Sequence, residues 1–408
     1  MSARASILIA RQGVVMLLGL VTFSILTRTL SKEQFALYKL VFGFVAILRL
    51  TTLPGLGTAV TQAFARGRFG GFRRAVMLSV AGSLIGSLAM LFGAWFQFRE
   101  GNAGSGTVYL SVAACFPLVA GLMYWRNAIV GMERYHRLLW FDSLSAALKS
   151  GAVIACAYFI PGALLPVVIA MLVAPGLVNV AATIEQLRTV PSDAAGEPRS
   201  IEYGVQTTIY QVPTLLAQQL DKIALFYFIS PAALAAYAVA LRIPELARTV
   251  VCEANATLGP LFARQSSYSG ELRSFSVKLW LLYGGVSIAG ALFVVPVLLP
   301  LLAGDAYAES IPYAQIMTVG AALSYLGDIQ FRYVKSHLHS RSFLAITGAK
   351  AFFDCILILA LAYSFGLKGV VCAYVLKNLG YTAITSTVVR AKYTKVPVPE
   401  CAMQGDGQ

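Results

Sequence analysis

Long apolar runs alternate along this chain with short polar joints, and most runs are about as long as a bilayer is thick. A helix rises 1.5 Å per residue, so about 20 apolar residues cross a hydrocarbon core of ~30 Å. On that measure the pattern predicts about twelve crossings. They fall at 7–27, 34–59, 74–96, 107–130, 140–160, 164–184, 203–229, 231–260, 273–299, 311–334, 343–364 and 367–389. One joint is longer and predominantly polar, "EQLRTVPSDAAGEPRSIE" at 185–202, and it leaves six crossings on either side. The organisation expected is a first lobe over 1–190, a linker over 191–202 and a second lobe over 203–408.

The lobes carry related marks. "RTLSKEQFALYKL" (Arg28 to Leu40) opens the second apolar run, and a looser copy, "YFISPAALAAYAVAL" (Tyr227 to Leu241), opens the eighth. Ser31 followed by Gln34 is a capping-box pattern, and Ser230 followed by Pro231 is an N-cap with proline at the first helical position. Tyr38 and Tyr237 stand at an offset of 199 (237 minus 38), which Ser31 and Ser230, Gln12 and Gln211, Arg49 and Arg248, and Asn179 and Asn378 share. Polar pairs that keep one offset across several helices indicate duplication. Six crossings return the chain to its starting side, so the repeats are expected to be parallel. Their pseudo-two-fold axis would run along the membrane normal, with a substrate site between the lobes.

Composition agrees with this pattern. Hydrophobic residues make up 58% of the 408 and charged residues only 12%, against about 25% charged in soluble domains. The fold class expected is an all-α integral membrane protein. The formal charge of +14 is explained first by basic inner loops. Nucleic acid is not an expected partner, because no soluble basic domain is present to bind it. Arg66, Arg68, Arg73, Arg74, Arg134, Arg137, Arg188, Arg199, Arg264, Arg273, Lys335, Arg341, Arg390, Lys392 and Lys395 fall on one side, and Arg28, Lys32, Arg99 and Lys368 on the other. That asymmetry predicts both termini in the cytoplasm. The basic, apolar N-terminus reads as a retained first helix rather than a signal peptide. Trp95, Trp125, Trp140 and Trp280 lie near helix ends, where an interfacial belt would place them. The six cysteines are scattered without metal or disulfide spacing.

With twelve helices in two lobes, "RTLSKEQFALYKL" and "GLGTAVTQAFARG", the chain resembles bacterial polysaccharide-export flippases. These belong to the multidrug/oligosaccharidyl-lipid/polysaccharide exporter superfamily. Arg28, Leu30, Ser31 and Phe35 match one motif of that family, and Gly55, Leu56, Gly57, Ala63 and Arg66 match another. The resemblance implies a MATE-like fold in the bacterial cytoplasmic (inner) membrane. It implies translocation of an undecaprenyl-pyrophosphate-linked oligosaccharide by alternating access, for surface polysaccharides such as O-antigen. Membrane lipids, a polysaccharide polymerase and other assembly proteins would be its further partners.

A pyrophosphate-linked sugar needs a wet, cationic path, because ions in low dielectric cost many kcal/mol unless paired. Arginine suits phosphate, since its planar fork bonds two oxygens at once. Arg11, Arg49, Arg242 and Arg248 are expected to receive the pyrophosphate, with Gln12 and Gln211 at matching depths of helices one and seven. Snorkelling to inner head groups is the competing reading for Arg11, Arg49 and Arg248; for Arg242 it is a salt bridge with Glu245 or Asp221. Lys149 and Lys350 either line the cavity or pair with Asp142 and Asp354. Asp221, Asp328 and Asp354 are intramembrane carboxylates that could bind H+ or Na+, or pair with Lys222 or Arg242, with Arg332, and with Lys350. Arg126 and Arg332 read as interface residues.

No phosphate-loop motif is present, so direct ATP use is not expected, and neither is any cofactor or metal. "HLH" at His337 to His339 reads as a solvated loop. No residue set suggests catalysis. A multidrug/cation antiporter of the same fold would need an acidic, aromatic cavity. A flippase for the peptidoglycan precursor lipid would resemble a fourteen-helix arrangement. A membrane glycosyltransferase or polymerase would need a sizeable outer loop, whereas the longest here, around "REGNAGSGT", is about ten residues.

Overall fold

The computed structural model describes residues 3–190, 199–256, 258, 262, 267–336 and 340–393. Among them every regular element is a helix. Eight of these helices are long and apolar enough to cross a membrane. The chain divides into two compact units: Met1–Phe226 with Ser230–Ala235 and Leu302–Gly304, and Tyr227–Ile229 with Ala236–Leu301 and Asp305–Gln408.

The first unit holds α1 (Ala3–Thr29), α2 (Lys32–Leu48), α3 (Gly55–Ala65), α4 (Phe72–Arg99) and α5 (Ala103–Phe116). It continues with α6 (Trp125–Gly131), α7 (Tyr135–Phe159), α8 (Leu164–Thr189) and α9 (Ser200–Ala224). After α10 (Pro231–Ala240), the second unit holds α11 (Arg242–Ala256), α12 (Gly270–Ala289), α13 (Val295–Ala303), α14 (Ile311–Ser336) and α15 (Ser340–Tyr393).

Both expected caps are formed. The Ser31 hydroxyl accepts from Gln34 N at 3.2 Å, and Ser31 N donates to Gln34 Oε1 at 3.1 Å. Ser230 Oγ accepts from Ala233 N at 3.1 Å. These bonds satisfy amides that have no partner within the helix.

Several runs read as single spans are broken, and proline accounts for the breaks. The run at 34–59 leaves the α-helix after Leu48, tightens into a 3₁₀ turn at Arg49–Thr52, and passes through left-handed Leu53 (φ 57°) before restarting at Gly55. Pro54 has no N–H and disfavours helix at the residue before it. The Tyr124 hydroxyl, 2.6 Å from the carbonyl oxygens of both Thr52 and Leu53, is the donor at this break. At 107–130 the ladder opens into a π turn at Pro117–Gly121. Asn179 of α8 covers that opening, donating Nδ2 to the carbonyls of Leu118 and Val119 at 3.2 Å. Pro244 leaves the Ala240 carbonyl without its usual donor, and α10 gives way to α11 at Leu241. The last two expected spans both lie within α15 and are separated at non-helical Gly366 (φ 59°, ψ −137°), a conformation open mainly to glycine.

Side-chain size is distributed as for a lipid-bathed helix. On α4, Ser79 and Ser83 are fully buried, whereas Leu88 and Phe92 are 65% exposed. Small residues face the helix partners and allow close packing, while large apolar ones face the hydrocarbon. One close backbone approach in the first unit is between α3 and α9. A Cβ at Gly55 would lie 2.2 Å from the Gly204 carbonyl oxygen, and Gly55 N donates to Thr208 Oγ1 at 2.9 Å. Trp95 and Trp140 are exposed as an interfacial belt requires, but Trp125 is fully buried. Its Nε1 donates to Asn179 Oδ1 at 3.1 Å, so it belongs to the core with Ile129, Leu138, Phe141 and Val178. In the second unit, Tyr268, Ile329, Tyr333, Ile346 and Tyr381 form a corresponding core.

Candidate functional site

In the first unit the charged groups meet where α1 and α7 begin. Arg11 Nη1 lies 2.8 Å from Asp142 Oδ2, and Arg126 Nη2 lies 2.9 Å from Asp142 Oδ1. Asp142 is 6% exposed, so both arms form in a largely dry setting. Arg126 also stacks over Trp125, 5.1 Å from its ring centroid. Arg49 caps α2, where the helix dipole favours a cation. It is exposed, it donates to the Met123 sulfur at 2.8 Å, and the charge of Arg126 reaches it. Among the described residues no carboxylate pairs with Arg49. The cluster therefore holds three guanidiniums and one carboxylate.

The second unit has its own cluster. Arg248 Nη2 lies 2.9 Å from Asp328 Oδ1. Arg332 and Lys335 follow Asp328 on the same face of α14, at i+4 and i+7. Three cations again face one acid.

The remaining expected residues are distributed as follows. Lys350 pairs with Asp354, and its ammonium lies 5.8 Å from the Tyr381 ring centroid. Asp221 is 3% exposed, and its Oδ1 accepts from Lys222 N at 2.8 Å. The Lys222 ammonium instead donates to Gln219 Oε1 at 2.6 Å. Gln12 and Gln211 are half-buried on α1 and α9, Lys149 is half-buried on α7, and Arg242 is half-buried at the start of α11. His337 and His339 lie outside the described residues. Outside the membrane-spanning segments, burial pushes the Tyr268 phenol up from its ordinary value.

Two partnerships differ from those read in the sequence. Asp142 is taken by Arg11 and Arg126 rather than by Lys149, and Asp328 by Arg248 rather than by Arg332. Arg126, read as an interface residue, also forms one arm of the first cluster. A third arrangement was not anticipated. The Lys39 ammonium sits 5.3, 5.7 and 5.8 Å from the ring centroids of Phe35, Tyr38 and Phe23. The recurrence of Phe and Tyr at one-turn spacing before Lys39 was the available signal.

A family model described as "Polysaccharide biosynthesis protein" matches residues 2–266, more than half of the chain. No curated protein matches the sequence. Among solved structures, a MATE in complex with MaD5 superposes at a TM-score of 0.71 with 15% identity, covering 96% of this chain and 94% of that one. The MATE multidrug transporter DinF-BH gives 0.70 and 15%, with the same coverages. The lipid II flippase MurJ in an inward closed conformation gives 0.69 and 11%, covering 93% of this chain and 87% of that one. These likenesses establish a MATE-like fold.

Proposed function

We propose, on the premise that the chain belongs to the polysaccharide biosynthesis protein family, that it is a flippase for an undecaprenyl-pyrophosphate-linked oligosaccharide. It would carry this lipid from the cytoplasmic to the outer face of a bacterial inner membrane by alternating access. Both termini would lie in the cytoplasm, and a polysaccharide polymerase would act on the delivered lipid.

The observation that supports this reading is the surplus of basic over acidic side chains in a cluster of each unit. Arg11 and Arg126 pair with the single acid Asp142 in one unit, and Arg49 stands near Arg126. Arg248, Arg332 and Lys335 outnumber Asp328 in the other. Several basic side chains gathered around one acid repel one another in a low-dielectric setting, an arrangement suited to meeting an anion. A pyrophosphate carries that charge in the geometry an arginine fork binds. The same surplus opposes an organic cation as cargo, which would require acidic and aromatic walls. Coupling to a proton gradient through Asp221, Asp328 or Asp354, or to a sodium gradient through Asp221 or Asp354, belongs to the same proposal. The protein would be a carrier and not a catalyst.

The test is translocation by the purified protein in liposomes, comparing a pyrophosphate-linked oligosaccharide lipid with a fluorescent organic cation. The lipid should change sides and the cation should not, and imposing each ion gradient in turn reads the coupling. Transport of the cation without the lipid would overturn the reading. Arg49→Ala should slow lipid translocation by about tenfold, the kinetic equivalent of one lost charge-assisted bond of about 1.4 kcal/mol.

A further inference from the structure

α11 and α14 pack together in the second unit. They frame a cavity of about 90 Å³ lined by Cys252, Asn255, Asp328, Phe331, Arg332 and Lys335. The lining positions are spaced at helical turns on both helices, so each helix presents one face to it. The volume is several times the roughly 10–15 Å³ that one water needs, and it admits a phosphoryl group.

Two buried polar groups in this wall are unsatisfied. Asn255 is 2% exposed, yet neither its Nδ2 nor its Oδ1 has a hydrogen-bond partner among the described residues. Asp328 Oδ2 also lacks one, while its Oδ1 holds Arg248. Buried polar atoms are almost always bonded, so an orphaned carboxamide facing a cavity marks the place of a ligand. The sign of the charge selects the kind of ligand. Among the described residues that line the cavity or pair into it, Arg248, Arg332 and Lys335 accompany one carboxylate, Asp328, so a metal cation would meet three like charges. An anion would instead find a guanidinium fork, an ammonium and an amide donor.

We propose that this cavity binds the anionic phosphoryl group of a lipid head. Arg332 and Lys335 neutralise it and Asn255 Nδ2 donates to it. Asp328 Oδ2 accepts from a hydroxyl carried beside the phosphoryl, as in a phosphosugar or a phosphoglycerol. This deepens the proposed function and rests on its reading of the Arg248, Arg332, Lys335 and Asp328 cluster as an anion site; loss of ligand protection at Cys252 with lipid translocation intact would overturn the cavity site and leave the transport reading standing. Every residue that lines it belongs to the second unit.

Cys252 lies in the wall of the cavity and is exposed to labelling, which makes it the reporter. The full chain is prepared with Cys115, Cys156, Cys355, Cys372 and Cys401 replaced by serine and placed in phosphatidylcholine nanodiscs. The rate of maleimide alkylation at Cys252 is followed by mass spectrometry. A site-filling ligand at about five times its Kd should slow the reaction about sixfold. Two probes are compared, a polyprenyl-pyrophosphate sugar and phosphatidylglycerol. Slowing by the first alone identifies the ligand as a polyprenyl lipid, slowing by the second alone as a structural phospholipid, and either supports the site. Arg332→Gln and Lys335→Gln, checked for an unchanged size-exclusion profile, should each remove most of the protection. No slowing by either lipid, equal slowing by sodium chloride at matched ionic strength, or full protection in both variants would overturn it.

Discussion

Replacing Asp142 with asparagine tests how the arginines of the first unit are held. The carboxylate is 6% exposed and serves Arg11 at 2.8 Å and Arg126 at 2.9 Å. An asparagine can accept from one guanidinium through its oxygen, but it turns its own donors toward the other and supplies no charge. Removing one member of a buried pair costs about 3–5 kcal/mol. Arg11 and Arg126 are 24% and 37% exposed, so solvent absorbs part of that cost and about 2–3 kcal/mol remains. A unit of roughly 200 residues loses about 2–4 °C of melting temperature per kcal/mol, so Asp142→Asn should melt about 4–12 °C lower. The assay is thermal unfolding of the purified protein in nanodiscs, followed by tryptophan fluorescence, with Trp125 stacked directly under Arg126. The double variant Arg11→Gln, Asp142→Asn should recover part of the loss, because one uncompensated cation is gone. A single variant melting within about 2 °C of the parent would refute the argument that Asp142 anchors the cluster.

Gly55→Val drives a side chain into the Gly204 carbonyl, 2.2 Å from the new Cβ, and should abolish the monodisperse peak on size exclusion. Tyr124→Phe removes the donor to the Thr52 and Leu53 carbonyls and should cost about 1–3 kcal/mol, read as a lower melting temperature. Arg248→Gln strips Asp328 of the cation at 2.9 Å and should cut lipid translocation in liposomes by roughly tenfold, with Arg248→Lys recovering part of it. Ser31→Ala loses one cap bond of α2 and should cost only about 1 kcal/mol, leaving translocation rates unchanged.

The helices were legible in the sequence because a bilayer sets one length for all of them, and the N-caps at Ser31 and Ser230 were legible because capping is local. The breaks at Leu53, Pro117 and Leu241 were not, since the apolar run continues through each proline and length alone reads it as one span. Charge pairing divides the same way. Lys350 and Asp354 are four residues apart on one helix, so their pair could be read directly. Arg11 and Asp142 are separated by 131 positions, and only the packing of α1 on α7 brings them together. The orphaned Asn255 had no sequence signal, because an asparagine in an apolar run looks the same whether it is bonded or waiting for a ligand.

The contact of α3 with α9 limits where this chain can be cut. The polar joint at 185–202 separates the sequence repeats, yet α9 beyond it packs backbone to backbone on α3 through Gly204 and Gly55. A fragment ending in that joint would keep the bare glycine groove of α3, and its complement would begin with the helix that fills it. Co-expressed halves split there should reassemble as a complementing pair, each insoluble alone. A split after α9 would leave that groove filled within a single fragment.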